Sequence, residues 1–272
     1  MREVIEERDV LLANKTAVVY GASGAIGGAV ARAFARQGAK VFVTGRDLAK
    51  VESVAKDIRW EGGQAEAARV DALDEQAIDR HLDSVIAGAG SIDISFNAVG
   101  IPNTTLQGVP LVDLAVDQFS LPIATYSRTN FLTARLAARR MVPERSGVIL
   151  TVTPVVARAG VPLIGGFAPA MSTVEQLTRN LSVELAPHGI RVVGLRSDGM
   201  PETGTIKEVF GIHAKAYGIT HEQFNEIIAS KNHRRRLPTL AELANVAVFM
   251  ASDEASAMTG TIVNLSMGML DD

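Results

Sequence analysis

The chain has 272 residues, 47% of them hydrophobic and 21% charged, so it can bury a sizeable core and is not compositionally disordered. A formal net charge of -3 offers no basic footprint for nucleic acid or anionic lipid, which leaves small-molecule chemistry as the expected class. The absence of cysteine excludes disulfides, thiolate metal sites and cysteine nucleophiles, and no metal is expected.

Residues 1–14 mix acids and bases with short apolar pairs. They lack the basic start and apolar run of a secretory signal, so they read as a leader packed on the domain of a cytoplasmic protein. No apolar stretch approaches the ~18 residues that a membrane helix needs. From Lys15 onward, β-branched runs alternate with longer segments of helical spacing. The expected strands are Thr16–Tyr20, Lys40–Thr44, Gln64–Val70, Ile92–Phe96, Gly147–Val152, Arg191–Leu195 and Thr261–Leu265, with an apolar helix between each and the next. This pattern predicts a single Rossmann-type, doubly wound α/β domain over residues 15–272, its seven-stranded parallel sheet buried on both faces. Gly38 and Gly189 stand where helices should end. The long interruption at 197–238 is expected to form a lid over the ligand crevice, and the basic run His233-Arg234-Arg235-Arg236 within it reads as a solvated face.

The first strand runs into Gly21-Ala22-Ser23-Gly24-Ala25-Ile26-Gly27-Gly28 and then into an alanine-rich helix. Glycines permit the tight turn and the close approach of a pyrophosphate, whose charge meets the free N–H groups and positive dipole end of the helix. A dinucleotide site at Gly21, Ser23, Gly24, Ala25, Ile26 and Gly27 follows. The second strand ends Val43-Thr44-Gly45-Arg46. An NAD site usually places a carboxylate there for the ribose diol; Gly45 removes it and Arg46 supplies a planar cation suited to phosphate. NADP(H) is therefore expected ahead of NAD, although Asp47 beside Arg46 keeps NAD open.

On these residues the chain resembles the short-chain dehydrogenase/reductase family from Lys15 to Gly268. Gly21 and Gly27 match the outer glycines of its fingerprint, with Ala25 in place of the middle one. Asp71-Ala72 lies where that family contacts adenine, and Asn97-Ala98-Val99-Gly100 lies where it carries a similar stretch beside the cofactor. The segments Glu184–Val192, Phe249–Ala255 and Thr259-Gly260 also match. The resemblance implies cofactor contacts at Asp71, Ala72, Asn97, Ala98 and Gly100, and a homotetramer built through the helices Leu114–Met141 and Phe167–Ala186. Ala134, Ala137, Ala138 and Leu177 are among the small and apolar residues expected to supply the interface.

The same resemblance implies a catalytic Asn, Ser, Tyr and Lys, in which the phenol moves a proton while hydride moves to or from nicotinamide. Without gaps, those positions fall on Tyr126, Pro154, Phe167 and Met171. Phe167 and Met171 share a helix face by their spacing but offer only carbon and a thioether. Tyr126, Thr153 and Asp198 are then the candidate catalytic groups, ahead of Arg128 and Thr151. The leading expectation is an NADP(H)-dependent oxidoreductase acting on an iminium ion or otherwise activated substrate. The alternatives are a non-redox ligand-binding protein and a cyclase that reuses the crevice.

Overall fold

The computed structural model describes residues 10–271. Seven parallel strands form one sheet: β1 (Thr16–Tyr20), β2 (Lys40–Gly45), β3 (Gln64–Arg69), β4 (Ile94–Asn97), β5 (Gly147–Pro154), β6 (Ile190–Ser197) and β7 (Ile262–Leu265). Their order is β3-β2-β1-β4-β5-β6-β7. The chain therefore winds outward from β1 to one edge and returns to β4 to wind toward the other. A crevice opens where the direction reverses, beyond the carboxyl ends of β1 and β4. The helices are α1 (Ala25–Arg36), α2 (Leu48–Trp60), α3 (Glu75–Ala89), α4 (Val116–Glu144), α5 (Phe167–Leu185), α6 (Gly204–Tyr217), α7 (His221–Lys231) and α8 (Leu240–Ala251).

Successive side chains of β1 point to opposite faces, and both faces are buried. Ala17 and Val19 join a core with Val30 and Phe34 of α1, Val51 of α2 and Val248 of α8. Val18 and Tyr20 join another with Ile78 and Leu82 of α3 and Leu136 and Met141 of α4. Gly38 and Gly189 have φ of +87° and +76°, the left-handed conformation that stops a helix.

The boundaries move where polar groups intervene. β4 begins at Ile94 rather than Ile92 because the Asp93 carboxylate accepts from the Thr16 amide at 2.7 Å and from the Ser91 hydroxyl at 3.0 Å. β5 and β6 run past their expected ends, with Thr153 opposite Arg196 and Pro154 opposite Ser197. Of the leader, residues 1–9 lie outside the described residues; Leu12 is buried, and its amide donates to the Gln37 carbonyl at 2.9 Å.

Much of the excursion between β6 and α8 is helical. Thr203 caps α6, and Thr220 opens α7 with a reciprocal capping box to Gln223. In the basic run, Arg236 makes a two-pronged ion pair with Glu242 of α8, at 2.8 and 2.5 Å. One expectation needs correction. Ala134, Ala137 and Ala138 are consumed by the core of this chain, so they leave no small-residue surface for a partner. The exposed large apolar groups on α4 and α5 are instead Val116, Leu121 and Phe131 on the first and Val183 on the second.

Candidate functional site

A cavity of about 740 Å³ occupies the crevice. Gly21, Ser23, Gly24, Ala25 and Ile26 form one wall, where β1 turns into α1. A side chain cannot be built into this turn: a Cβ on Gly21 would stand 2.6 Å from the Ala98 carbonyl oxygen, and one on Gly27 would stand 2.5 Å from the Gly21 carbonyl oxygen. Gly27 thus sets how closely α1 packs on the turn and does not itself line the cavity. The first amides of α1 have no partner inside the helix and meet the cavity at Ala25 and Ile26, a ready position for a phosphate. Ala25 costs the turn little because it is already the first helical residue.

At the end of β2, Gly45 and Arg46 line the same cavity. Arg46 is exposed and makes no ion pair among the described residues. Asp47 is otherwise engaged: its carboxylate caps α2 by accepting from the Lys50 amide at 3.3 Å. Asp71, Ala72, Ala98 and Gly100 also line the cavity. Asn97 stands behind it. Its amide donates to Thr133 at 2.9 Å and its carbonyl accepts from the Val99 amide at 2.9 Å, which holds the loop after β4 in place.

Tyr126, Pro154, Phe167 and Met171 come together at the far side of the cavity. The Tyr126 and Phe167 rings meet edge to face with centroids 5.5 Å apart, among Ile101, Ile123, Ala170 and Val174. The Tyr126 hydroxyl accepts from the Ile101 amide at 3.4 Å, and burial pushes its phenol above the usual range. Arg128 lies outside this cavity, on a shallow surface beside Asp74 and Glu75. Thr151 shares a hydrogen bond of 2.8 Å with Thr178 of α5.

Thr153 borders the cavity, but its hydroxyl is turned to a buried ionic cluster. It donates to Glu175 at 3.1 Å, and Glu175 meets Arg196 in a two-pronged pair at 2.7 and 2.8 Å. Both charged side chains are almost fully buried. Glu175 continues the α5 face that carries Phe167 and Met171, one turn further on. Sequence reasoning missed this pair; the available signal was Arg196, the second of two arginines in a strand whose residues 192–195 are apolar or glycine.

Asp198 follows β6 and is buried at the cavity's edge. Its carboxylate accepts from the Gly199 amide at 2.7 Å and from the Asn232 side chain at 3.1 Å. Burial raises its pKa, and these two bonds oppose the rise. Asn232 ends α7 and also donates to the Arg236 carbonyl at 3.0 Å, so the two ends of the excursion between β6 and α8 are tied together at its base.

A second polar group also went unread in the sequence. Asn103, Gln107 and His213 line the cavity, are each no more than 3% exposed, and form a hydrogen-bonded row. No cluster of three potential metal ligands exists among the described residues, and no described helix is long and apolar enough to cross a membrane.

Comparison with known proteins agrees with this architecture. The family model described as enoyl-(acyl carrier protein) reductase matches residues 21–270. An uncharacterized oxidoreductase of Bacillus subtilis, YxbG, is 33% identical over 259 residues, 95% of this chain and 92% of its own. The 7alpha-hydroxysteroid dehydrogenase of Escherichia coli K12 is 29% identical over 257 residues, 94% of each chain. Among solved structures, a short-chain type dehydrogenase/reductase from Mycobacterium marinum is similar with a TM-score of 0.81 and 28% identity, covering 96% of this chain and 97% of that one.

Proposed function

The chain belongs to the short-chain dehydrogenase/reductase family of oxidoreductases, and on that premise we propose that it holds NADP(H) and reduces an iminium ion or a similarly activated substrate. The glycine cradle fits the cofactor: Gly21 and Gly27, where a Cβ would collide with backbone, let the turn close tightly onto α1, and Gly24 leaves the approach to the first amides of that helix free of a side chain. Gly24, Ala25 and Ile26 would receive the pyrophosphate, Asp71 and Ala72 the adenine, and Ala98 and Gly100 the region toward nicotinamide. Arg46 and Ser23 would receive the 2′-phosphate, with Asp47 withdrawn as a helix cap. When bound, the cofactor supplies or accepts hydride.

The observation that carries the substrate reading is the wall made by Tyr126, Pro154, Phe167 and Met171. A ketone needs a proton as hydride arrives; Phe167 and Met171 have none to give, and burial raises the pKa of the Tyr126 phenol, which makes it a poorer acid. An iminium carbon is already electron-poor and gives a neutral amine without a proton from the protein. Thr153 and Asp198 act in this reading by shaping the site, since each is bonded to neighbouring protein groups.

The test is steady-state consumption of NADPH with matched cyclic imines and ketones. Imines should turn over, and unactivated ketones should be slower by roughly 10²–10⁴, the usual worth of positioned acid catalysis. An unactivated ketone reduced at about 1 per second or more would overturn the reading. We further propose a homotetramer joined through α4 and α5 at Phe131 and Val183, which light scattering at micromolar concentration would refute by returning a monomer.

A further inference from the structure

The row formed by Asn103, Gln107 and His213 has a polarity that one backbone group fixes. The Ile101 carbonyl can only accept, so the group facing it at 3.3 Å is the Asn103 amide nitrogen. The Asn103 oxygen is then turned to Gln107 and accepts from its amide nitrogen at 2.9 Å. That leaves the Gln107 oxygen facing the Nε2 atom of His213 at 3.2 Å, where only an N–H can donate. In the neutral imidazole the proton is therefore on Nε2, and Nδ1 carries a lone pair. Burial holds His213 below its ordinary pKa, which favours the neutral ring. The ring is also stacked on Phe224 of α7, with centroids 5.7 Å apart and planes inclined by 27°.

Nδ1 takes no hydrogen bond from any described residue. It is not among the polar atoms sealed from solvent without a partner, so it stays accessible and is free to take a hydrogen bond from a ligand in the cavity that His213 lines. The surrounding side chains include Ile206, Val209, Phe210 and Phe224 of the lid helices, so the ligand that fits has an apolar body. We propose that His213 is a substrate-recognition residue whose Nδ1 accepts a hydrogen bond from a hydroxyl or N–H group on a largely apolar substrate. This deepens the reading above and rests on it for the word substrate, because an amine product and an alcohol both bring the required donor. Gln107 and Asn103 serve as positioning residues that fix the tautomer.

The experiment uses the NADPH-loaded protein with its histidine rings labelled with nitrogen-15, titrated with menthol, menthyl methyl ether and menthane. The free protein should show the Nε2–H tautomer at His213. Menthol should bind about fivefold to tenfold more tightly than the ether, the worth of about one hydrogen bond, and should move the Nδ1 signal. His213→Gln keeps a polar group at the Nε2 position and has none at Nδ1. That variant should bind NADPH as the unmodified protein does and lose the preference for menthol. An Nδ1–H tautomer, equal affinity for menthol and its ether, or no binding of menthol would each overturn the inference. If NADPH itself fails to bind, the cofactor reading falls instead; the same three probes titrated into the free protein then decide the role of His213.

Discussion

Tyr126 and Phe167 stand edge to face, 5.5 Å between centroids and 70° between planes, although 41 positions separate them on helices α4 and α5. The contact gives Tyr126 a packing role beside the cavity and leaves its hydroxyl against the Ile101 amide. Tyr126→Phe removes only that hydroxyl. The rate with an imine should stay within about threefold of the unmodified protein, because no acid catalysis worth 10²–10⁴ is lost. Steady-state kinetics of the two proteins side by side would decide it, and a hundredfold fall would make Tyr126 the acid.

Arg46 lines the cavity and, among the described residues, has no ion pair to give up when a phosphate arrives. Fluorescence titration should find NADPH bound more tightly than NADH. Arg46→Asp should shift the discrimination by at least ~1.4 kcal/mol, one decade in affinity, since a carboxylate repels the 2′-phosphate that the cation attracts. Equal affinities in the unmodified protein would remove Arg46 from the site.

Glu175 and Arg196 illustrate the cost of a buried charge. Glu175→Gln takes away the carboxylate that holds Arg196 and should cost about 3 kcal/mol or more, read as a lower urea midpoint. The double change Glu175→Leu with Arg196→Met should recover most of that loss, because it removes both charges together. If the single variant unfolds at the same urea concentration as the unmodified protein, the pair contributes nothing.

His81 is buried on α3 against Phe42, and burial lowers its pKa to about 4. Above the unfolded value of about 6.5 the ring is neutral in both states and has no effect on the pH dependence. Between about pH 6.5 and 4 the unfolded chain binds one more proton, so stability falls with falling pH by up to about 3 kcal/mol. His81→Leu should flatten that part of the curve of unfolding free energy against pH. An unchanged slope would mean that His81 takes a proton inside the folded chain.

The division between what the sequence disclosed and what it hid follows the distance over which each feature is built. β1, the glycine turn and α1 are contiguous, so their pattern is local and all but Gly27 among the expected turn residues line the cavity. Apolar runs mark the strands locally, whereas the late start of β4 depends on Asp93, whose carboxylate accepts from the Thr16 amide 77 positions away. The pairing of Glu175 with Arg196 joins a helix to a strand, and that of Gln107 with His213 spans 106 positions. Periodicity cannot report such contacts, since each residue alone reads as an ordinary surface group. The alanines of α4 misled for the opposite reason: their small size admits close packing inside the chain as readily as between chains.

The bond from Asn232 to Asp198 has a consequence for how this chain can diverge. The 33 residues between them leave the sheet and return to the same point, closed by a contact at their own base. Closing a loop costs little more as it lengthens, about 0.6 kcal/mol for each doubling. The excursion is thus an exchangeable cassette: helices can be lengthened, shortened or replaced beyond the clasp while the strands beneath keep their register. A chain that keeps the clasp can therefore trade this segment alone, with the glycine turn between β1 and α1 left unchanged.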